Sequence, residues 1–564
     1  MSEEKDKDLV DELKTRLEYL RTVRAKFEGD WKEAQNLVAP SLLNWDNPGE
    51  KTPKRPKRFT SRPTNFLDTL RSGIIGYSIS PNISWLKLGF EEPEHTDKYG
   101  AKDWLEAVEA ALYAEFNRSN LYKQTSSFIE NAATYGHAVM LIDEKLSDNK
   151  LRFTNFNVGE VWLDVDEYDE VDAVFRRYNM TLKNAAAFFG EDKLHDTLKL
   201  DLKDKKKWNN DVTILHAVYR REDSDEESRS SKKMPYASVY IDESRDFLIE
   251  EGGYMEFPFA VFIWKTVSGT PYGESPAIHA MADVKLLNIV NESEIKIVQM
   301  SAEPALNVPD DMREATNVVP GGYSYYKEKD QIISPIKTGE NYQIAINAEE
   351  KIEKRVKDWF HVDFFLALMN ERPANITATY VMELQGEKAA VLSDLVVNLN
   401  EALTKIIQRS FNLLWRQRKI PQPPESLAGE GAQLKVDFMG PLAQAQKKYH
   451  ESAGIGQGIS LIGAVANLSQ DALDVVDFDQ TLKSGLTGMG FPQASIREDK
   501  DIEELRKQRA QAQAQMQQQA AAMEQQKQLM GNYGKLNEPV KPGSAIDELN
   551  KQMAGADPQG GFYG

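Results

Sequence analysis

The order of hydrophobic patterns over residues 275–370 restricts the possible folds of this chain more than any other feature. Helical spacing runs from 275 to about 303, and Pro304 ends it. Residues 305–346 are strand-like, with Pro-Gly-Gly at 320–322, and helical spacing returns over 347–370. The first helix, predicted over 276–302, would be about 40 Å long at ~1.5 Å per residue. Two long helices on either side of a strand-like segment predict a helical stem with a small tip.

The stretch that leads into the first long helix, "GTPYGESPAIHAMADVKLLN" (269–288), opens with a glycine-containing loop of a kind that can bind phosphate. It lacks the second glycine spacing and the Lys-Ser/Thr pair of a P-loop. Pro276 fits the first turn of a helix, because a proline there loses only an N–H group that has no helical partner. We therefore predict a hinge into a structural helix and not a ligand site.

The rest of the chain mixes helices with antiparallel strands. Apolar residues from Leu13 to Val38 recur at three- and four-residue steps and predict an N-terminal helix that Pro40 ends. Further helical patterns cover 64–78, 103–118, 121–134 and 379–418. Short alternating runs at 137–143, 151–156, 160–180, 212–222, 238–244 and 257–265 predict antiparallel strands, with a polar loop tip at 222–233. The fold class predicted from these patterns is α+β.

Composition excludes several classes of protein. The 564 residues, 41% of them apolar, are enough for about three or four domain-sized units. The absence of cysteine excludes disulfides, thiolate zinc sites and a cysteine nucleophile. The net charge of −19 is untypical of a protein that gains DNA affinity by neutralising phosphates. One local basic patch, "KTPKRPKRFTSR" (51–62), is either a solvated loop or a contact with DNA or an acidic neighbour.

The sequence shows neither the pattern of a signal peptide nor that of a transmembrane helix. Residues 1–12, "MSEEKDKDLVDE", are charged and lack the apolar core of a signal peptide. No run of about 18 apolar residues is present. We expect a soluble intracellular protein, or a component of a particle that is built inside the cell.

No stretch predicts catalysis, a metal or a cofactor. "AGIGQGIS" (453–460) has a GxGxG string, but no strand pattern precedes it. "LDVDEYDEVD" (163–172) lacks the EF-hand glycine and terminal glutamate, and its alternating flanks predict a charged β-hairpin turn. The seven histidines form no HxxxH or HExxH, so His137 and His361 are expected to be packed or solvated. We predict that the protein is not an enzyme.

Seven stretches, in order, resemble the head-to-tail connector, or portal, family of short-tailed bacteriophages. The stretches are "WKEAQNLVAPSLL" (31–43), "SGIIGYSISPNISWLKL" (72–88), "LYKQTSSFIENAATYGHAVML" (121–141), the 269–288 segment, "ITATYVMELQGEK" (376–388), "KIPQPPESL" (419–427) and "FMGPLAQAQKK" (438–448). The resemblance covers about 30–450. One departure is Tyr380, where the family often carries an acidic residue, which puts any role of that side chain in doubt.

The resemblance implies a division of the chain into the parts of a portal fold: an antiparallel β wing, a helical stem, a small β-containing clip and a helical crown or barrel. The implied parts are N-terminal helices and wing (1–270), first stem helix (271–303), clip (304–346), second stem helix (347–370), tunnel loop (371–379), long wing helix and crown (380–500), C-terminal Gln/Ala-rich helix (501–530) and disordered tail (531–564).

The resemblance also implies a function and partners. Portals form a ring of about twelve copies at one capsid vertex of the virion. Double-stranded DNA is packaged and ejected through the axial hole. The implied partners are other copies of the chain, the packaging terminase, the major capsid and scaffolding proteins, and tail adaptors, with assembly in the host cytoplasm.

Three sets of residues are candidates for roles in such a ring. The tunnel-loop position implied by the resemblance makes Glu371, Arg372 and Asn375 candidates for touching DNA, or parts of a proline kink that contacts other subunits. Asp283 and Glu294 are eleven residues apart, so they share one helix face that we predict to line the lumen. Lys285, Glu292, Lys296 and Glu303 alternate in sign on the opposite face and are predicted to pair with the neighbouring subunit, the alternative being two solvated faces.

The C-terminal region and the overall function each leave alternatives. Residues from Ile502 to Met530 form a weak heptad with Gln and Arg inside it, which predicts either a helical barrel of many copies or a solvated helix. The alternative functions are a different virion scaffold, such as a tail adaptor, and a hydrolase that uses some of the abundant carboxylates.

Overall fold

The computed structural model describes residues 2–40, 57–96, 98–145, 149–225, 230–308, 333–335, 342–369, 393–427 and 434–440, with isolated positions elsewhere. The chain divides into two units, Met1–Ala453 and Gly454–Gly564. In the second unit, the few described positions between 502 and 523 have helical backbone conformation. All elements below belong to the first unit.

The N-terminal part is built from helices whose extents agree with the predicted ones to within about two residues, apart from the start of the first. They are α1 (Ser2–Leu37), α2 (Arg62–Ser78), α3 (Pro93–Thr96), α4 (Ala101–Arg118) and α5 (Leu121–Tyr135), with the strand β1 (Leu86–Phe90) between α2 and α3. The long α1 ends three residues before Pro40, as expected of a residue that cannot continue a helix. The four-residue α3 was not predicted.

The strands that follow form two antiparallel sheets. In chain order they are β2 (His137–Lys145), β3 (Lys150–Asn155), β4 (Val161–Val165), β5 (Val171–Thr181), β6 (Asp211–Arg220), β7 (Tyr236–Asp242), β8 (Phe247–Tyr254) and β9 (Phe259–Ile263). The larger sheet has the order β4-β5-β6-β7-β8, and the smaller one the order β3-β2-β9. The acidic stretch 163–172 forms the β4–β5 hairpin, with Asp164 opposite Ala173, so the predicted hairpin turn is confirmed.

Helices cover both faces of the five-stranded sheet. Leu13, Leu17 and Leu20 of α1 are buried with Phe175 and Val239 of the sheet. The short helices α6 (Leu182–Phe189) and α7 (Asp196–Leu202), between β5 and β6, contribute to a separate apolar cluster with the sheet. Sequence patterns did not predict α6 and α7. The mixture of helices and antiparallel sheets confirms the α+β class.

The remaining elements lead through the two long helices to the last strand. They are the hairpin β10 (Lys265–Val267) and β11 (Thr270–Glu274), α8 (Pro276–His279), α9 (Met281–Ala302), the strand pair β12 (Leu306–Asn307) and β13 (Ser334–Pro335), α10 (Tyr342–Trp359), α11 (Val362–Met369), α12 (Ser393–Arg416) and β14 (Leu434–Phe438). The strand β14 returns to pair with β1. The second long helix, α10, begins five residues earlier than predicted. A break at His361, whose φ is +49°, separates it from α11.

One large apolar core holds the bases of the long helices. It unites residues from α2, α4, α5, the three-stranded sheet and α12 with Val284 and Leu287 of α9 and Ile352 and Val356 of α10. The first half of α9 and the last half of α10 are therefore anchored in the body of the protein. Near the C-terminal end of α9, Ile295, Val298 and Met300 are exposed.

Candidate functional site at the paired long helices

The start of the first long helix is fixed by a buried serine cap. Ser275 Oγ accepts a hydrogen bond from Ile278 N at 3.1 Å and donates one to Thr134 O at 2.9 Å. Ser275 and Thr134 are fully buried, and Pro276 occupies the first turn. The segment before it, predicted as a loop, is instead the strand β11, which follows a turn at Gly269 and pairs with β10. The predicted helix start at Pro276 is confirmed. A break at Ala280 separates the four-residue α8 from α9.

Two glycines bring the α5–β2 corner against β11, three residues before α8. Gly136 has a φ of +89°, and a Cβ there would lie 1.9 Å from Gly273 O. A Cβ on Gly273 would lie 2.6 Å from Ile263 Cγ2. Sequence reasoning missed this contact, although both glycines follow a tyrosine in stretches that resemble the family. The absence of two side chains therefore sets the position from which the long helix starts.

An aromatic cluster docks α1 beside this joint. The ring of His137 lies 5.0 Å from that of Trp31 and 5.0 Å from that of Tyr272. Arg24 is almost fully buried, donates to Val161 O at 2.6 Å and lies 4.2 Å from the Trp162 ring. Burial, followed by the nearby Arg24 charge, lowers the pKa of His137 to about 3. His137 is therefore neutral near pH 7 and packed, as predicted, and lacks the near-neutral pKa of a general base.

The two long helices are antiparallel and joined by polar contacts. Arg355 Nη2 of α10 lies 2.7 Å from Asp283 Oδ1 of α9. Two turns along α9, Asn291 Nδ2 donates to Glu349 Oε1 at 3.2 Å. As residue numbers rise on α9 they fall on α10, which establishes the antiparallel arrangement. Arg62 of α2 is 3.1 Å from Glu349, so part of the basic stretch 51–62 is an internal tie.

The predicted lumen-facing residues both lie on the α10 side of α9 in the single chain. Asp283 pairs with Arg355. Glu294 lies beside Glu349, and its Oε1 is shielded from solvent. Burial raises the pKa of Glu294, and the charge of Glu349 raises it further. The two residues do share a face, while their place in a ring lumen stays a prediction.

The predicted inter-subunit residues lie on the outer side of α9. Lys285 Nζ is 2.5 Å from Glu33 Oε2 of α1, and Lys296 Nζ is 2.8 Å from Glu292 Oε1 within α9. Glu303 caps the helix end, where its N–H donates to Gln299 O. Lys285, Glu292 and Lys296 thus already form ion pairs inside one chain, and pairing with a neighbour stays a prediction.

An exposed apolar row on α9 was missed by sequence reasoning. Leu286, Ile289 and Met300 are 43%, 57% and 43% exposed. At about 100° per residue, they lie on the side opposite the buried Val284 and Leu287. The spacing of these apolar residues, three and eleven apart, could have predicted the row. The sequence analysis instead assigned the contact with a neighbour to the alternating charges beside it. Apolar side chains grouped on one exposed face are typical of an interaction surface.

Several predicted features lie outside the described residues. These are the tunnel-loop candidates Glu371, Arg372 and Asn375, most of the clip region, Tyr380, and most of the region after 440. Among the residues that the structure does describe, no group of three or more histidine and acidic side chains is arranged to bind a metal ion. Within the same part of the chain, no helix has the length and apolar character needed to cross a membrane.

Comparison with known proteins gives consistent matches. The family model described as "Bacteriophage head to tail connecting protein" matches residues 10–496. The "Probable portal protein" of Bordetella phage BPP-1 is 27% identical over 521 residues, which cover 90% of this chain and 92% of that protein. The "Portal protein" of Salmonella phage epsilon15 is 26% identical over 504 residues, which cover 88% of this chain and 90% of that protein.

Proposed function

Since the chain belongs to the family of bacteriophage head to tail connecting proteins, we propose that it is a portal protein, the connector between the head and the tail of a phage. The match that carries this proposal extends from α1 through the paired long helices to beyond β14. Both relatives described above are named as portal proteins and align over nearly the whole chain. The tail-adaptor and hydrolase alternatives are not favoured by these matches.

The copies of the chain assemble into a ring of about twelve, at one vertex of the capsid. The exposed row of Leu286, Ile289 and Met300 supports a neighbour that covers α9, because burying apolar surface between copies stabilises the ring by roughly 25 cal/mol per Å². Lys285, Glu292, Lys296 and Glu303 flank this row. The neighbour's opposite charges would then set the register between adjacent copies.

The ring surrounds a channel for double-stranded DNA. A net charge of −19 per copy supports a lining that repels the duplex instead of binding it, because contacts with Lys and Arg would displace counterions and hold the phosphates. Asp283 and Glu294 are proposed to lie near this lining. Asp283 is already neutralised by Arg355, so Asp283 contributes less to the repulsion than its charge alone suggests.

The remaining assignments concern the ends of the channel and its partners. Glu371, Arg372 and Asn375 are proposed to form the narrow tunnel loop that touches DNA. The packaging terminase and tail adaptors dock on the ring, and the major capsid and scaffolding proteins surround it. The chain itself supplies no catalytic step, and the mature protein resides in the virion after assembly in the host cytoplasm.

Complementation of a phage that lacks a working copy of this gene tests the function. Wild-type protein supplied from a plasmid restores DNA-filled heads. Ile289→Asp abolishes both rings and filled heads without changing the unfolding temperature of the single chain, since Ile289 is 57% exposed. Leu200→Asp, on the 63% exposed Leu200 of α7, serves as a matched control that still forms rings. Filled heads without any complementing protein would refute the portal assignment.

Charge reversal tests the flanking residues separately. Lys296→Glu weakens ring formation, and the double variant Glu292→Lys with Lys296→Glu restores part of it if alternating charges set the register. Rings that are unchanged in the single and the double variants would refute the pairing. Arg372→Ala tests the tunnel loop in the same phage assay, where a defect in packaging or DNA retention is expected. Normal filled heads would contradict a major role for Arg372.

A further inference from the structure

Two glutamates from different long helices meet where the helices leave the core. Glu349 of α10 is 9% exposed and accepts a hydrogen bond from Asn291 Nδ2 at 3.2 Å. Glu294 of α9 lies against it. Its Oε1 is buried, and no group in the described part of the chain donates a hydrogen bond to it. A buried carboxylate oxygen without a donor is costly, so this arrangement requires an explanation.

The charged groups around the pair come from three elements. From α2, Arg62 Nη1 lies 3.1 Å from Glu349 Oε1 and also contacts Glu353. From α10, Lys357 Nζ lies 3.0 Å from Glu353 Oε1. Asn291 is the neutral donor from α9. Arg62 and Lys357 therefore pair with Glu349 and Glu353. The charge of Arg62 also reaches Glu294, where it opposes part of the rise in pKa that burial and Glu349 cause.

A single proton resolves the arrangement. Ionised carboxylates only accept hydrogen bonds, whereas a protonated carboxyl donates one. Two carboxyl groups that share a site therefore hold one proton between them. Glu349 already accepts from Asn291 and pairs with Arg62, whereas Glu294 Oε1 has no donor in the described part of the chain, so the proton is assigned to Glu294. Burial and then the Glu349 charge raise the pKa of Glu294, and the Arg62 charge offsets part of this rise.

We propose that Glu294 and Glu349 form a proton-dependent clasp between α9 and α10. When Glu294 is protonated it donates to Glu349, and the two helices stay together above the core. When it loses its proton, two negative charges face each other and the helices separate at this level.

The sign of the pH dependence follows from the proton count. A carboxyl group with a raised pKa binds more protons in the folded than in the unfolded chain. The stability that the clasp contributes is therefore fully present below the ordinary glutamate pKa of about 4.3, and it is lost as the pH rises through the folded pKa of Glu294. A neutral hydrogen-bond donor at position 294 removes this loss.

Thermal unfolding of the full chain with Glu294→Gln tests the clasp, because the glutamine amide donates to Glu349 at every pH. At about pH 8 we expect the unfolding temperature of the variant to lie ~1–2 °C above wild type, and at about pH 4 to equal it. Glu292→Gln is the matched control on the same helix; it removes a carboxylate that faces Lys296 and not a second glutamate, so it is expected to be no more stable than wild type at pH 8. A variant that is no more stable than wild type at pH 8 would overturn the proposal, because the ionised Glu294 would then not destabilise the contact with Glu349.

The separation of the helices can be measured directly. Because the sequence contains no cysteine, Val298→Cys and Asn347→Cys allow two spin labels to be placed on exposed positions of the two helices. With labelled chains diluted by unlabelled ones, we expect the label-to-label distance to increase from about pH 4 to pH 8 in the wild-type background, while Glu294→Gln keeps the short distance. A distance that is independent of pH in both backgrounds would show that no clasp operates.

Discussion

Replacing Gly136 by alanine tests how the long helix is positioned. Gly136 has φ +89° and ψ −12°, a left-handed conformation that costs an L-residue about 1–2 kcal/mol. The new Cβ would also lie 1.9 Å from Gly273 O, whereas real Cβ contacts stay above 3.0 Å. Because that atom belongs to the backbone, no side-chain rotation relieves the overlap. Overpacking costs about 1–3 kcal/mol, and this contact belongs at the upper end.

Gly100→Ala provides a matched control for the conformational term alone. Gly100 has φ +77° and ψ −3°, and its nearest neighbour to a new Cβ would be Pro424 Cβ at 3.5 Å, an ordinary contact. We expect Gly136→Ala to be less stable than Gly100→Ala by about 3 kcal/mol, or ~3 °C in the thermal unfolding of a unit of this size. Since β11 and α8 would have to shift, the Gly136 variant should also fail to form rings. Equal unfolding temperatures for the two variants would refute the close-contact argument.

Two further changes probe the body of the protein. His137→Phe should reduce the loss of stability in acid. The folded chain holds His137 neutral down to its pKa of about 3, whereas the unfolded chain protonates it near pH 6.5, so the free energy of unfolding falls by about 1.4 kcal/mol per pH unit between these values. Denaturant midpoints measured across this range check the prediction, and an unchanged dependence on pH would contradict it. Glu256→Ala should cost about 3–5 kcal/mol, since the 5% exposed Arg409 and also Arg416 lie 2.5 and 3.0 Å from its carboxylate, whereas Glu250→Ala, in the exposed pair with Lys193, should cost less than about 1 kcal/mol. Calorimetry compares the two variants, and similar losses would show that the Glu256 network is unimportant.

Hydrophobic periodicity predicted most elements because it reports local burial. The helices α2, α4 and α5 and every strand of both sheets except β8 were recognised from spacing alone, and Pro276 and Pro40 marked a helix start and end correctly. The helices α6 and α7 were missed because they are short and their apolar residues fit into a single sheet face. The pairing of β1 with β14, almost 350 residues apart, was also missed, since nothing in either strand identifies its partner.

The site was predicted less completely than the fold, because its chemistry depends on which helix faces which. The spacing of Asp283 and Glu294 placed them correctly on one side of α9. Only the structure shows that α10 covers that side, so that Asp283 meets Arg355 and Glu294 meets Glu349. Sequence spacing describes one helix at a time and contains no information about the partner helix.

The glycine joint shows a second limit of sequence reasoning. The sequence shows where Gly136 and Gly273 are, but their importance comes from a backbone contact between residues 137 positions apart. No periodicity encodes such a contact. The predicted tunnel loop lies outside the described residues, so its role depends on the family alone.

Electron microscopy of the purified full-length protein under assembly conditions tests the central claim most directly. The account predicts closed rings of about twelve copies with an axial hole, in which the α9 row of Leu286, Ile289 and Met300 is covered by the adjacent copy. Single chains that never form rings, or rings whose hole is lined mainly by lysine and arginine, would contradict it.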